Sequence, residues 1–247
     1  MRAREWTAKR IDWQSLEIQM SRVLVLYYSA FGYVGIVANA IADGARSAGA
    51  VADLKRVPET TPAAGAQGAL FNSMQDVPIA PIEDLANYDA IIVGSPTRFG
   101  RLSSPVAGFL ELASELFGRG ILSGKVGGAF TSPSGPNGGQ ETASMSIITN
   151  LLHFGMIVVG PPYSATTLAD TTGQRHPSAL DLEGAREQGR LIAQTAEKLS
   201  AFVIPSATDL DWITDRKPSA AARKPRKAAR KPGEADRKRS PARTRKR

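Results

Sequence analysis

Four short apolar runs punctuate the chain: RVLVLYY (22–28), YDAIIVG (88–94), KVGGAF (125–130) and MIVVG (156–160). Each is too short for an amphipathic helix and is apolar at successive positions instead of alternate ones. That is the pattern of a strand covered on both faces. Helical spacing appears between them. After SAFGY come Val34, Val37, Ala38, Ile41, Ala42 and Ala45, with Gly49 where a helix stops. SSPVAGFLELASELFG (103–118) and ETASMSIITNLLHFG (141–155) read as further helices. LDLEGAREQGRLIAQTAEKLSAFV (180–203) closes the series with Leu182, Ala185, Ile192, Ala196 and Leu199 on one face. VADLKRV (51–57) is a further strand, whereas residues 58–85 are turn-rich and irregular. Strands alternating with helices predict an α/β fold: a five-stranded parallel sheet with helices on both faces and right-handed crossovers. The order 2-1-3-4-5 fits, with a ligand outside the carboxyl ends of the strands.

The chain has 247 residues and no cysteine, which removes disulfides, thiolate metal sites and thiol redox chemistry together. No HExxH and no GxxxxGK[ST] is present, so zinc hydrolysis and P-loop phosphoryl transfer have no support, and no metal is expected. The formal charge of +8 belongs to the tail: residues 216–247 carry 15 lysines and arginines against Glu234 and Asp236, a local +13. Three segments follow: an extension over 1–20, a folded domain over 21–204 and a basic, low-complexity tail over 205–247. Met20 directly precedes SRVLVLYYS and is a candidate start, the alternative being a short amphipathic helix before it. No apolar run is long enough for a membrane span and the first residues lack a signal-peptide core, so the expected location is the cytoplasm.

Three loops follow strands one, three and four, on one edge of the predicted sheet. SAFGYVG (29–35) lies between strand and helix, where amide groups and the helix dipole favour a phosphate and Ser29 adds a hydroxyl. SPTRFGR (95–101) offers Thr97 and the Arg98 and Phe99 backbone to the edge of a planar heterocycle, with the Arg98 side chain facing negative charge on it. TSPSGPNGGQE (131–141) has the glycines and prolines to wrap a ring or phosphate. Each alone is equally readable as a connection. Together they point to a flat, phosphorylated ligand.

VLVLYYSxxG, LKRVPET, YDAIIVGSPTRFG, GGQE, HFGM and RHPS resemble, in that order, the WrbA family of flavodoxin-like NAD(P)H:quinone oxidoreductases, over residues 21–203. The resemblance implies FMN bound without a covalent link, NAD(P)H as hydride donor, a quinone as acceptor, and a homo-oligomer, dimer or tetramer. It places the FMN phosphate at Ser29, Ala30, Phe31, Gly32, Tyr33 and Val34. Pro96, Thr97, Arg98, Phe99 and Gly100 lie along the ring system. Ser132, Pro133, Ser134, Gly135, Pro136, Asn137 and Gly138 surround the flavin. Phe31 is expected near the nicotinamide, and Phe117 over a neighbouring subunit's flavin site. Where many members have two adjacent histidines, the second in the flavin pocket, this chain has His153 followed by Phe154; His153 is the remaining candidate. The segment between MIVVG and RHPS is shorter than in many members. No catalytic acid or base is expected, because the flavin carries the hydride. The alternatives are a flavodoxin-like electron carrier and a flavoprotein tethered to nucleic acid nonspecifically through residues 216–247.

Overall fold

The computed structural model describes residues 20–59, 76–160, 165–169 and 175–200. Residues 1–19 of the expected 1–20 extension, most of the irregular stretch before residue 76, and the basic tail lie outside the described residues. β1 (Arg22–Tyr27), β2 (Val51–Arg56), β3 (Ala90–Pro96) and β4 (Val126–Ser132) pair in parallel in the order β2-β1-β3-β4. α1 (Tyr33–Ser47), α2 (Ser104–Glu111), α3 (Ser114–Gly118), α4 (Gln140–His153) and α5 (Ala179–Ser200) cover the two faces.

The continuous apolar runs are explained by that double coverage. Successive β1 side chains point to opposite faces. Val23, Val25 and Tyr27 join a core with α1 and α5, whereas Leu24 and Leu26 join one with α2, α3 and α4. Every residue of β3 and β4 is buried. Gly94 and Phe130 are register partners, and the Phe130 ring occupies the space over Gly94, 2.1 Å from where a Cβ would stand. In the helix layer on that same face, a Cβ on Gly189 would lie 2.0 Å from the Ile41 carbonyl oxygen, so α5 and α1 cross backbone against backbone.

Two expectations are refined. SSPVAGFLELASELFG is two helices, because the chain tightens at its middle: Leu112 N–H donates to the Phe109 carbonyl and Ala113 N–H to that of Leu110. These are three-residue spacings, which rotate the chain so that Leu116 is buried while Leu112 faces out. The fifth strand expected over 156–160 is two short pieces sharing one sheet position. β5 (Ile157–Val158) pairs with Val126–Gly127, and β6 (Ala165–Thr166) with Phe130–Thr131. The gap is bridged by the buried Gln188 of α5. Its Nε2 donates to the Ala129 carbonyl at 2.7 Å and its Oε1 accepts from Ala165 N–H at 2.6 Å. One side chain therefore replaces the missing rungs of the ladder.

Candidate functional site

The carboxyl ends of β1, β3 and β4 deliver their three loops to one cleft. Ser29, Ala30, Phe31, Tyr33 and Val34 come from the first loop, Pro96, Thr97 and Arg98 from the second, and Ser132 and Ser134 from the third. These were among the residues expected from sequence, and the fold brings them together.

Gly32 is the residue before α1 and has φ 91°, a left-handed conformation that turns the chain sharply from strand into helix. No side chain caps that helix and its first turn contains no acid, so the positive end of its dipole is unopposed. Ser29 Oγ and Thr97 Oγ1 are buried without a hydrogen-bond partner. A buried hydroxyl left unpaired costs about 1–3 kcal/mol, so two of them lining one cleft beside an uncapped helix mark a place for a polar ligand. Neighbouring hydroxyls are occupied. Ser95 Oγ bonds to Ser103 Oγ and accepts from Ser103 N–H, while Ser132 Oγ donates to the Thr167 carbonyl. Burial, and then Glu59, push the Tyr28 phenol above its ordinary pKa, and Arg98 pulls it back.

The second loop is fastened at both ends. Thr97 N–H donates to the Ser132 carbonyl at 3.1 Å, tying it to β4. Beyond it, Arg98 and Arg101 exchange backbone hydrogen bonds at 2.9 and 3.2 Å. Phe99 (φ 53°) and Gly100 (φ 74°) make the two-residue turn between them. Phe99 is fully exposed at its tip, away from the cleft. Gly32, Gly100, Pro133, Gly135, Pro136, Asn137 and Gly138 shape the loops without lining the cleft.

A fourth wall was not legible in the sequence. Ala169 lines the cleft, held there because its N–H donates to the Pro133 carbonyl at 2.7 Å. Asp181 braces the same segment, accepting from Thr167 Oγ1 and from Ser178 N–H, while Ser178 Oγ accepts from Asp181 N–H. That reciprocal pair is the local work of the RHPS motif at the start of α5.

His153 is elsewhere. It ends α4, whose first residue lies by the third loop, so 13 residues of helix, roughly 20 Å, separate it from the cleft of its own chain. It is exposed at a corner where the rings of Phe117 and Phe154 stand 6.4 Å apart. Another hollow, of about 210 Å³, opens beside Asp89, Lys125 and Ser200 at the amino edge of the sheet. There Lys125 Nζ donates to the Ala86 and Tyr88 carbonyls, a structural use of its charge.

Comparison with known proteins agrees with this geometry. Residues 21–171 match the model of the NADPH-dependent FMN reductase family. A Cupriavidus metallidurans protein named NAD(P)H dehydrogenase (quinone) is 57% identical over 197 residues, covering 73% of this chain and 99% of its own. One of the same name from Acidovorax ebreus is 55% identical over 197 residues, covering 73% and 98%. The 197 aligned positions exceed the 73% of 247 residues that this chain contributes, so the Cupriavidus relative carries a stretch that this chain lacks. Among solved structures, a WrbA-like flavodoxin from Agrobacterium tumefaciens superposes with a TM-score of 0.54 at 24% identity, covering 72% of this chain and 98% of its own. An archaeal flavodoxin does so with a TM-score of 0.51 at 21% identity, covering 71% and 99%. These two share the fold, with the sheet order observed here. By the extent of the family match and the identity to its relatives, the chain belongs to the NADPH-dependent FMN reductase family, and its fold is flavodoxin-like.

Proposed function

We propose that this protein is an FMN-dependent NAD(P)H:quinone oxidoreductase. The observation that carries the reading is the pair of buried, unpartnered hydroxyls, Ser29 Oγ and Thr97 Oγ1, in a cleft headed by the uncapped start of α1. Relatives at 55–57% identity bearing the name NAD(P)H dehydrogenase (quinone) support it. Bound FMN supplies the chemistry, accepting hydride from NAD(P)H and passing two electrons to a quinone.

The chain's own residues bind and orient. Ser29 to Val34 hold the phosphate against the helix dipole. Thr97 and Arg98 would hold the ring system, the Phe99 backbone turning the loop beside them, and the Arg98 charge would favour negative charge on the ring. Ser132 and Ser134, with Ala169, close the opposite side and exclude water, on a loop shaped by Pro133 and Gly135 to Gly138. Phe31 borders the nicotinamide. No side chain is assigned as acid or base.

His153 ends a helix about 20 Å long that starts by the third loop, and Phe117 does not line the cleft, so we assign both to the cleft of a second copy in a homo-oligomer. The exposed Phe117 ring, tilted against that of Phe154, supports that assembly. NAD(P)H is a cytoplasmic reductant, and no helix among the described residues is long and apolar enough to cross a membrane; we place the protein in the cytoplasm. The +13 of residues 216–247 favours a second, independent role, nonspecific nucleic-acid binding that salt weakens steeply. Truncation at Lys217 tests it: retention of DNA at low salt should disappear, and equal retention rejects it.

The deciding experiment is to add FMN, remove the excess, and record the visible spectrum before and after anaerobic NADPH and NADH. Bound flavin that bleaches and is restored by benzoquinone supports the proposal. Flavin that neither nucleotide bleaches points to an electron carrier, and no bound flavin rejects both.

A further inference from the structure

Next to the flavin cleft lies a second hollow, of about 230 Å³, whose wall includes Tyr28, Arg98, Phe99, Arg101, Ser103 and Ser104. Arg98 lines both, so the two spaces adjoin at that residue. No acidic residue lines the second hollow, and neither arginine has an ion-pair partner among the described residues. Glu59, which acts on the Tyr28 phenol, is not part of the wall. Ser104 begins α2, whose first-turn amides add to the positive potential.

Two unfavourable features converge here. The backbone bridge sets Arg98 and Arg101 directly opposite each other, and like charges in that position repel. The turn that creates the pairing holds Phe99, a bulky residue, in the left-handed region with its ring wholly in solvent. Strain and repulsion at one spot, with no acidic residue among the described ones in the wall to relieve them, describe a site made for an external anion.

We propose that this hollow receives the pyrophosphate of NAD(P)H. The assignment rests on the oxidoreductase reading above, in which the flavin phosphate is already taken by the first loop and a quinone carries no such anion. With the nicotinamide against the flavin, the pyrophosphate is one ribose away, as the shared Arg98 wall requires. The 2′-phosphate of NADPH lies beyond it, on the adenosine side. The pyrophosphate is common to both nucleotides, so the site serves NADH and NADPH alike.

Arg101→Ser tests this without touching the flavin cleft. On the full chain loaded with FMN, binding of ADP-ribose, which keeps the pyrophosphate and lacks the nicotinamide, should weaken roughly tenfold, as loss of a charge-assisted hydrogen bond implies. KM for NADH and for NADPH should rise by a similar factor, kcat and FMN affinity should hold, and Arg101→Lys should restore part of the loss. Unchanged ADP-ribose binding overturns the proposal, as does a wild type that binds none. A KM change confined to NADPH also overturns it, assigning the arginine to the 2′-phosphate. If the wild-type flavin is bleached by neither nucleotide, the oxidoreductase reading fails by itself, and ADP-ribose binding still decides the pyrophosphate site.

Discussion

Gly100 and Gly139 meet backbone to backbone where the second and third loops cross. A methyl group built on Gly139 would lie 2.9 Å from the Gly100 Cα, and Gly139 itself has φ 84°. The contact fixes the distance between two walls of the cleft, and it requires that Gly139 carry no side chain; a Cβ on Gly100 would meet Thr142 Oγ1 instead, at 2.9 Å.

Gly139→Ala should therefore act on the cleft before it acts on the fold. The left-handed backbone and the clash together cost about 1–3 kcal/mol. The expected result is a Tm lower by several degrees together with a larger loss, about tenfold or more, in FMN affinity by fluorescence titration. Unchanged FMN affinity would show that the crossing does not set the cleft.

Ser29→Ala separates ligand binding from stability. In the protein alone the hydroxyl is buried without a partner, so its removal should leave the FMN-free protein equally or slightly more stable. FMN binding should weaken by roughly tenfold, the worth of one hydrogen bond to a charged group. The two changes of opposite sign are read by thermal melts with and without FMN. A destabilised FMN-free variant contradicts the assignment.

Gln188→Leu removes the bridge between Ala129 and Ala165 and leaves two buried backbone groups unpaired. The cost should be about 2–4 kcal/mol, with the loss of hydrogen-exchange protection concentrated at Ala165 to Ala169. Uniform loss of protection would mean that the side chain supports the whole sheet instead of this wall.

Alkaline pH should expose two tyrosines. Burial raises the Tyr27 phenol to about 12, and burial with the hydrogen bond to Asp53 raises Tyr88 to about 12. Their folded values lie above the ordinary 10, so the stability they confer is complete below pH 10 and is lost as pH rises from 10 to about 12. Lys125 runs the other way: burial lowers its pKa, so its cost to folding eases as pH approaches 10.5. Thermal melts should show Tm holding to about pH 10 and falling beyond it, with tyrosinate absorbance appearing alongside unfolding. Early tyrosinate absorbance in the folded protein at pH 10 from all tyrosines would refute the shift.

Much of the cleft was legible before any coordinates. Ser29, Thr97 and Ser132 follow strands recognisable from unbroken apolar runs, and a parallel sheet puts all carboxyl ends on one edge. Arg98 was visible as a charge where a buried strand ends, but its neighbour Arg101 gained meaning only when the Phe99–Gly100 turn placed the two opposite each other. His153 stood in a motif suggestive of the flavin pocket, yet the length of α4 carries it to the far corner.

The sequence by itself determined the alternation of strands and helices and the three loops. Those features depend on local period and burial, which a few consecutive residues express. Only the tertiary structure decided that the fifth strand is split and bridged by Gln188, and that Ala169 forms a fourth wall. It also decided that Gly100 must meet Gly139. These are contacts between segments far apart in the chain, and a single polar side chain or a missing Cβ leaves no periodic trace in the residues around it.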